Sequence, residues 1–219
     1  WNNNYNIAPS ISPNGGKIAI LSNKDGPMSI YLISADNGKI IKNIVTGERN
    51  SEYEELHILK PGITWSPDGK YIAFSAKSGN SDALYIINTD NYEKEKIRLN
   101  NIEGIFRPSW SPKGDKIAFI GNNGKSSDIY LYNISSKDIF SVTNDWYSED
   151  HVSWFPDGNK LIFVSDRGGN LDVDSSNKHK YFSNQLDIYS ISIVDKKILR
   201  LTNTPYNESY PVISSDNKT

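Results

Sequence analysis

The chain has 219 residues, with 24 Lys and Arg against 26 Asp and Glu and a formal net charge of -2. This balance excludes a global electrostatic attraction to nucleic acid, and the absence of cysteine excludes disulfides, thiolate metal sites and a cysteine nucleophile. Hydrophobic residues make up 37% of the chain, enough for a buried core, but no apolar run is long enough to predict insertion into a membrane.

The N-terminus, WNNNYNIAPS, has no initiator Met, no basic region and no apolar leader. A secretory signal would need the last two features. We therefore expect the chain to be a mature or trimmed piece.

Four units of one pattern follow in chain order, and a single strand comes after them. The units are predicted at 5–46, 62–100, 105–143 and 150–203, and the strand at 208–214. A turn signal recurs at Pro13, Pro67, Pro112 and Pro156, with Ser215 in the same position of the last segment. The spacings of 54, 45, 44 and 59 residues are typical of propeller blades of four strands, with two insertions.

The third unit shows the pattern within one repeat. A strand at 107–111 leads into a turn, and strands at 116–120, 128–133 and 139–143 follow. The second strand reads KIAFI and is apolar on both faces, which indicates that neighbouring sheets cover it on both sides.

Aromatic residues recur at fixed positions of the repeat. They are Trp65, Trp110 and Trp154 before the turn, Phe74, Phe119 and Phe163 in the second strand, and Tyr31, Tyr85, Tyr130 and Tyr189 in the third. Their fixed position predicts packing between blades, not a ligand site. Asp82, Asp128 and Asp187 precede the third strand in three units and are predicted to accept hydrogen bonds from turn amides.

Two insertions interrupt the repeat, at 47–61 between the first two units and at 166–185 inside the fourth. In an antiparallel meander, links between blades and loops between the second and third strands lie at the same end of the sheet. We therefore expect both insertions on one face, and loops on a rigid scaffold commonly carry function.

Catalytic patterns are missing from the sequence. It contains no G-x-S-x-G elbow, no H-E-x-x-H, no Walker A and no G-x-G-x-x-G. The segment NLDVDSSNK places Asp172 and Asp174 two residues apart, a spacing that suits calcium, although the glycine and glutamate of an EF-hand loop are missing. No other cofactor is expected, and a solvated polar loop is the alternative to calcium.

The motif SWSPDGKxIAF, followed by SDIYxxN and xxLTN, resembles the TolB-like propeller repeat, a relative of WD-type repeats. The resemblance implies an all-β propeller of four-stranded antiparallel blades. Four blades and one strand would form an arc of a six- to eight-bladed ring, or the strand would close a four-bladed ring. Repeats of this kind occur in the periplasmic TolB protein, in propeller domains of serine peptidases and in bacterial surface proteins. The resemblance therefore implies a periplasmic or extracellular location.

The first functional hypothesis is a non-enzymatic scaffold, a single domain or part of one over 1–219, that binds a protein partner through its long-loop face. The predicted partner-binding residues are aromatic, charged or histidine side chains of the insertions and of the links between blades. They are Arg49, Glu52, Tyr53, Glu54, Glu55, His57, Arg107, Trp146, Tyr147, His179, Tyr181, Phe182 and Tyr206. The alternative is a non-catalytic propeller domain of a larger peptidase or hydrolase, which docks or gates its substrate. A third hypothesis is glycan or small-ligand binding at a central channel.

Overall fold

The computed structural model describes residues 4–47, 55–56, 60–173 and 185–214. These residues form 17 strands arranged in four antiparallel sheets, which confirms the all-β prediction. The chain divides into two compact units, Trp1–Pro108 and Ser109–Thr219. Within the described ranges, no helix has the length and apolar character needed to cross a membrane.

The first unit contains two sheets, and the strands of the first sheet lie in sequence order. The first sheet consists of β1 (Asn6–Ile11), β2 (Lys17–Ser22), β3 (Ser29–Ser34) and β4 (Ile40–Val45). The second consists of β5 (Glu55–Leu56), β6 (Ile63–Trp65), β7 (Tyr71–Ser78), β8 (Ser81–Asn88) and β9 (Lys94–Arg98). Both β5 and β6 pair with β7, so the insertion at 47–61 contributes a short strand that the sequence did not predict.

Two further sheets repeat the meander. The third consists of β10 (Gly104–Trp110), β11 (Lys116–Asn122), β12 (Ser127–Asn133) and β13 (Ile139–Ser141). The fourth consists of β14 (Glu149–Trp154), β15 (Lys160–Ser165), β16 (Asp187–Ser192) and β17 (Ile198–Arg200). In each sheet the second and third strands are the most buried, as expected for strands covered on both faces.

The turn signal forms a tight turn between the first two strands of each sheet. In the second sheet, Gly69 N–H donates to Ser66 O (2.9 Å), and Gly69 adopts a φ of 72° that favours glycine. The Ser66 hydroxyl accepts a bond from Tyr71 N–H (2.9 Å) and donates to the Asp68 carboxylate (2.6 Å). These bonds explain why Ser, Asp and Gly recur around the turn.

The recurring phenylalanines and tyrosines stack on each other within a sheet. Three pairs face each other across the second and third strands, with ring centroids 5.2 to 5.8 Å apart: Phe74 with Tyr85, Phe119 with Tyr130, and Phe163 with Tyr189. These stacked pairs add a cross-strand contact to the predicted packing between blades, and in the first unit Phe74 and Tyr85 also belong to a core cluster that contains Leu32 of the preceding sheet.

The tryptophans before the turn behave differently. Trp65 Nε1–H donates to Ser10 O of the preceding sheet in the first unit, and Trp154 Nε1–H donates to Ser109 O of the preceding sheet in the second unit (2.9 Å each). A buried indole needs such a partner for its N–H. These two bonds each tie one sheet to the next, as the repeat predicted, whereas Trp110 Nε1–H donates to Gly114 O of its own turn (3.3 Å).

Two of the three aspartates at the start of the third strand accept backbone amides, as predicted, whereas Asp187 accepts a bond from Arg200 Nη2–H (2.6 Å). Asp82 Oδ2 accepts a hydrogen bond from Ile105 N–H (2.7 Å), and Asp128 Oδ1 accepts one from Asp145 N–H (3.2 Å). Each of these two carboxylates thus holds the chain segment that follows the fourth strand.

One backbone distortion recurs in the first strand of the repeat. Among the described residues, Ala8, Arg107, His151 and Tyr210 have φ angles of 51° to 54°, and each lies five residues before the turn position. Non-glycine residues rarely adopt this conformation. In β1 and β14 a register shift that indicates a bulge accompanies it.

Residues 208–214, where the sequence predicts an isolated strand, are irregular and belong to no sheet in the described part of the chain. Tyr210 nevertheless shares the φ angle of the first strands. The segment therefore repeats this feature of a first strand outside a sheet, and Glu208 N–H donates to Leu186 O (2.8 Å), just before β16.

Candidate functional site

Two segments of the second unit lie side by side at one end of its sheets. They are the link 144–148, between β13 and β14, and the loop 166–173, which follows β15. Three hydrogen bonds join them: Asn144 N–H to Val173 O (3.1 Å), Ser148 N–H to Asp166 Oδ1 (2.8 Å) and Asn170 Nδ2–H to Tyr147 Oη (3.0 Å). We call these two segments the platform. Their contact agrees with the expected shared end of links and second-to-third loops.

The buried side chain of Arg167 holds the two segments of the platform together. It donates hydrogen bonds to four acceptors: Ser165 Oγ (3.3 Å), Asp172 O (3.1 Å), Asp145 Oδ2 (3.0 Å) and Glu149 Oε1 (2.5 Å). The acceptors come from the link, the loop and strands β14 and β15. One guanidinium therefore crosslinks the link, the loop and two adjacent strands.

Aromatic rings surround this guanidinium. Its central carbon lies 5.5 Å from the ring centroid of Tyr147, 5.6 Å from that of Phe163 and 5.8 Å from that of Tyr189. The Tyr189 hydroxyl donates to Gly168 O (2.7 Å), which anchors the loop to β16. Burial raises the pKa of Tyr189 to about 12, so its hydroxyl keeps its proton at physiological pH.

Three buried carboxyl groups face the single Arg167 cation. Burial raises the pKa of Glu149 to about 8, against the opposing effect of Arg167. Burial also raises the pKa of Asp128 to about 6. The third carboxyl belongs to Asp145. Because one positive charge cannot compensate three negative ones in an apolar surrounding, Glu149 retains its proton at neutral pH.

The same three carboxyl groups offer oxygens within 4.8 Å of one another. Oxygen ligands at this spacing would suit a divalent cation. However, the Arg167 guanidinium already bonds to two of them, so a cation of the protein itself occupies this position. We therefore interpret the group as an ion-pair cluster.

The predicted calcium site lies at the edge of the described residues. Asp172 is exposed, and its backbone carbonyl accepts the bond from Arg167. Asp174 lies outside the described residues. Calcium binding at this pair stays a prediction.

The outer surface of the platform carries two large apolar side chains. Trp146 on the link is 49% exposed, and Leu171 on the loop is 44% exposed. Asp166 and Asp172 lie in the same loop. The platform thus combines an apolar surface, an acidic border and a backbone held by internal bonds.

The described residues include only part of the predicted partner-binding set. Arg49, Glu52, Tyr53, Glu54, His57, His179, Tyr181 and Phe182 lie outside them, and Glu55 begins β5. Of the rest, Trp146 and Tyr206 are exposed, whereas Tyr147 is 5% exposed and packs against Arg167. Arg107, predicted on an inter-blade link, lies within β10, because the strand begins at Gly104.

Sequence reasoning missed the cluster beneath the platform. Arg167, Asp145 and Glu149 did not belong to any known motif, and Asp128 was interpreted only as a residue that bonds to turn amides. One signal was present: an arginine follows the second strand of the fourth unit, and the preceding link, NDWYSED, is rich in acidic residues.

Comparisons with known proteins relate this architecture to a family and to solved structures. The family model described as PD40, TolB beta propeller domain, matches residues 52–180. None of the curated proteins matches.

Many solved structures are similar, three of them as follows. TolB from Acinetobacter baumannii has a TM-score of 0.69 at 21% identity, over 94% of this chain and 45% of that chain. A putative TolB from Agrobacterium tumefaciens has a TM-score of 0.68 at 20% identity, over 89% and 64%. A structure from a study of two prolyl endopeptidases has a TM-score of 0.62 at 16% identity, over 92% and 30%.

The chain therefore spans about half to two thirds of the length of the TolB structures that it matches. The likenesses confirm the propeller-type fold of four-stranded antiparallel sheets. Because the family model covers more than half of the chain, the sequence resemblance is also confirmed: this chain belongs to the PD40 family of TolB beta-propeller domains.

Proposed function

We propose that the chain is a non-catalytic interaction module that binds a protein partner through the platform. One observation supports this function above the others. An exposed tryptophan, Trp146, lies on a link whose backbone is bonded to the adjacent loop and to a buried arginine cluster. Tryptophan is among the residues that most often dominate the energy of protein interfaces.

The rigidity of the platform strengthens the proposal. A surface that is already ordered loses little conformational entropy when a partner binds, so more of the contact energy appears as affinity. Leu171 on the neighbouring loop is a second exposed apolar side chain, and the exposed Asp172 follows it in sequence. The partner that fits is a protein segment with apolar side chains and a basic rim.

The predicted residues of the two insertions remain part of this proposal. Those at 174–182 follow directly from the loop of the platform in sequence. We further propose, from the sequence resemblance, that the module works in the periplasm or outside the cell.

A second candidate is a propeller domain of a larger peptidase or hydrolase, which docks or gates substrate. The likeness to a structure from a study of prolyl endopeptidases, of which this chain covers 30%, supports this candidate. The sequence on either side of the chain in its gene distinguishes the two. An adjacent hydrolase domain would favour the second candidate.

The test of the first candidate compares Trp146 with Val194. Val194 is 85% exposed and lies in the turn between β16 and β17, at the other end of the sheet. A photo-crosslinking residue at each of the two positions, in cells of the source organism, should capture a partner only from position 146. The captured protein is then purified for binding measurements.

In those measurements, Trp146→Ala should weaken binding by about 30-fold, equivalent to about 2 kcal/mol at an interface anchor. Val194→Ala should change the dissociation constant less than twofold. Both side chains are exposed, so circular dichroism and thermal unfolding should remain unchanged. Loss of binding in Val194→Ala with full binding in Trp146→Ala would refute the placement of the interface.

A further inference from the structure

The cluster beneath the platform holds more acid than base. Asp128, Asp145 and Glu149 are all buried, and Arg167 is the cation that bonds to two of them. The same four side chains connect the link to the loop. A change in their charge therefore acts directly on the bonds that hold the platform together.

We propose that proton release from Glu149 loosens the platform, so that the buried cluster of Arg167, Asp145 and Glu149 acts as a pH-controlled latch on the surface formed by residues 144–148 and 166–173. The latch itself is a property of the isolated chain. Its consequence for partner binding rests on the proposed function.

Glu149 is the residue best placed to transmit the proton change. Its side chain is completely buried. Oε1 accepts bonds from Arg167 and from Ser165 Oγ (3.2 Å), and Oε2 shares a hydrogen bond with Thr143 Oγ1 (2.8 Å), to which a protonated Glu149 would donate. Every bond of this carboxyl group goes to an element that supports the platform, and no water-exposed side could solvate an additional charge.

The charged and titratable groups around Glu149 come from several elements. They are Asp128 of β12, Asp145 of the link, Asp166 and Arg167 of the loop, and, beyond the guanidinium, Tyr189 and Asp187 of β16. Apart from Arg167, none of these groups can offset a negative charge on Glu149. Deprotonation therefore adds an uncompensated charge to the cluster.

The sign of the effect follows from proton linkage. Burial raises the pKa of Glu149 from 4.5 to about 8, so the closed platform binds a proton that an opened, hydrated Glu149 would release. The stabilisation of the closed state is complete below pH 4.5 and disappears as the pH rises through 8. Asp128, with a pKa raised to about 6, acts in the same direction over a more acidic range.

These values set the expected size of the change. If opening exposes Glu149 to water, the equilibrium constant for opening rises by about 20-fold between pH 6.5 and 8.5. Native-state amide exchange measures that constant for individual residues. Asn144 N–H and Ser148 N–H, which bond across the platform, are the amides that report it.

The experiment follows amide exchange of the isolated chain by NMR at pH 6.5 and 8.5, with protection factors corrected for the intrinsic pH dependence. The wild-type protection of Asn144 and Ser148 should fall by about 20-fold. The protection of Phe155 N–H, which bonds to Lys160 O in the turn at the other end of the sheet, should stay constant. In Glu149→Gln, a neutral side chain of the same shape, the loss of protection should disappear.

Equal protection at both pH values in the wild type would overturn the latch, and so would an unchanged loss in Glu149→Gln. If that variant does not fold, the NMR chemical shift of the Glu149 carboxyl carbon is followed against pH in the wild type instead. Titration near pH 8 supports the latch, and constant shifts from pH 5 to 9 refute it. No partner takes part in these measurements. The pH-dependent opening of the platform can therefore be refuted while partner binding at Trp146 is confirmed, and partner binding can be refuted while the pH-dependent opening is confirmed.

Discussion

Removal of the buried guanidinium tests the interpretation of the cluster most directly. Arg167→Met keeps much of the length of the side chain and its packing among Tyr147, Phe163 and Tyr189, but it removes four donated hydrogen bonds. The carboxyl groups of Asp145 and Glu149 then remain buried without a cation. We expect this variant to be strongly destabilised.

The magnitude follows from the contacts. Removing one member of a buried ion pair costs about 3–5 kcal/mol, because the remaining charge stays desolvated. Proton uptake limits the loss. Arg167 lowers the pKa of both Glu149 and Asp128, so its removal raises both, and the variant binds protons at pH values where the wild type has released them. The loss of stability should therefore be smaller at pH 6 than at pH 8.5.

The measurement is equilibrium unfolding in urea at pH 6, 7.5 and 8.5, monitored by tryptophan fluorescence. Arg98→Met is the matched control. Arg98 is exposed on β9, and its substitution should change the free energy of unfolding by about 0.5 kcal/mol or less. A loss below about 1 kcal/mol in Arg167→Met, or a larger loss at pH 6 than at pH 8.5, would contradict the ion-pair interpretation.

Two further substitutions test the packing of the sheets. A Cβ atom at Gly62 would lie 2.6 Å from Arg107 Cα and 2.7 Å from Pro108 Cδ. Gly62→Ala should therefore destabilise the first unit by about 1–3 kcal/mol and lower its melting temperature. Gly169→Ala is the control, because a Cβ atom there would have no atom within 4 Å, and it should leave the melting temperature unchanged. Trp154→Phe should cost about 1–3 kcal/mol in denaturant unfolding, because it leaves Ser109 O without its indole donor, and full stability of this variant would show that the bond is dispensable.

Much of the fold could be predicted because the repeat encodes it locally. Pro and Gly at the turn, apolar residues in the second strand and a polar loop before the third recur in each unit, and each feature reflects a backbone requirement within about 40 residues. The strand β5 was missed because two residues inside a polar insertion give no periodic signal. Its pairing with β7 depends on contacts that the local sequence does not report.

The site was predictable only in part. The antiparallel meander predicted Trp146 and the loop 166–173 at the same end of the sheets, and the structure brings these two segments together. The sequence could not show that Tyr147 is turned inward while its neighbour Trp146 is exposed. It also could not show that Arg167 bonds to carboxylates 18 and 22 residues earlier in the chain, because such pairs depend on how the sheets pack.

The unusual φ angle shared by Ala8, Arg107, His151 and Tyr210 has an evolutionary consequence. The side chains at these positions are a methyl group, a guanidinium, an imidazole and a phenol, so the same backbone conformation accepts chemically different side chains. Gly62, at the corresponding position of the second unit, does not share this angle. At the four positions that do, the side chain could therefore be changed independently without rebuilding the framework around it.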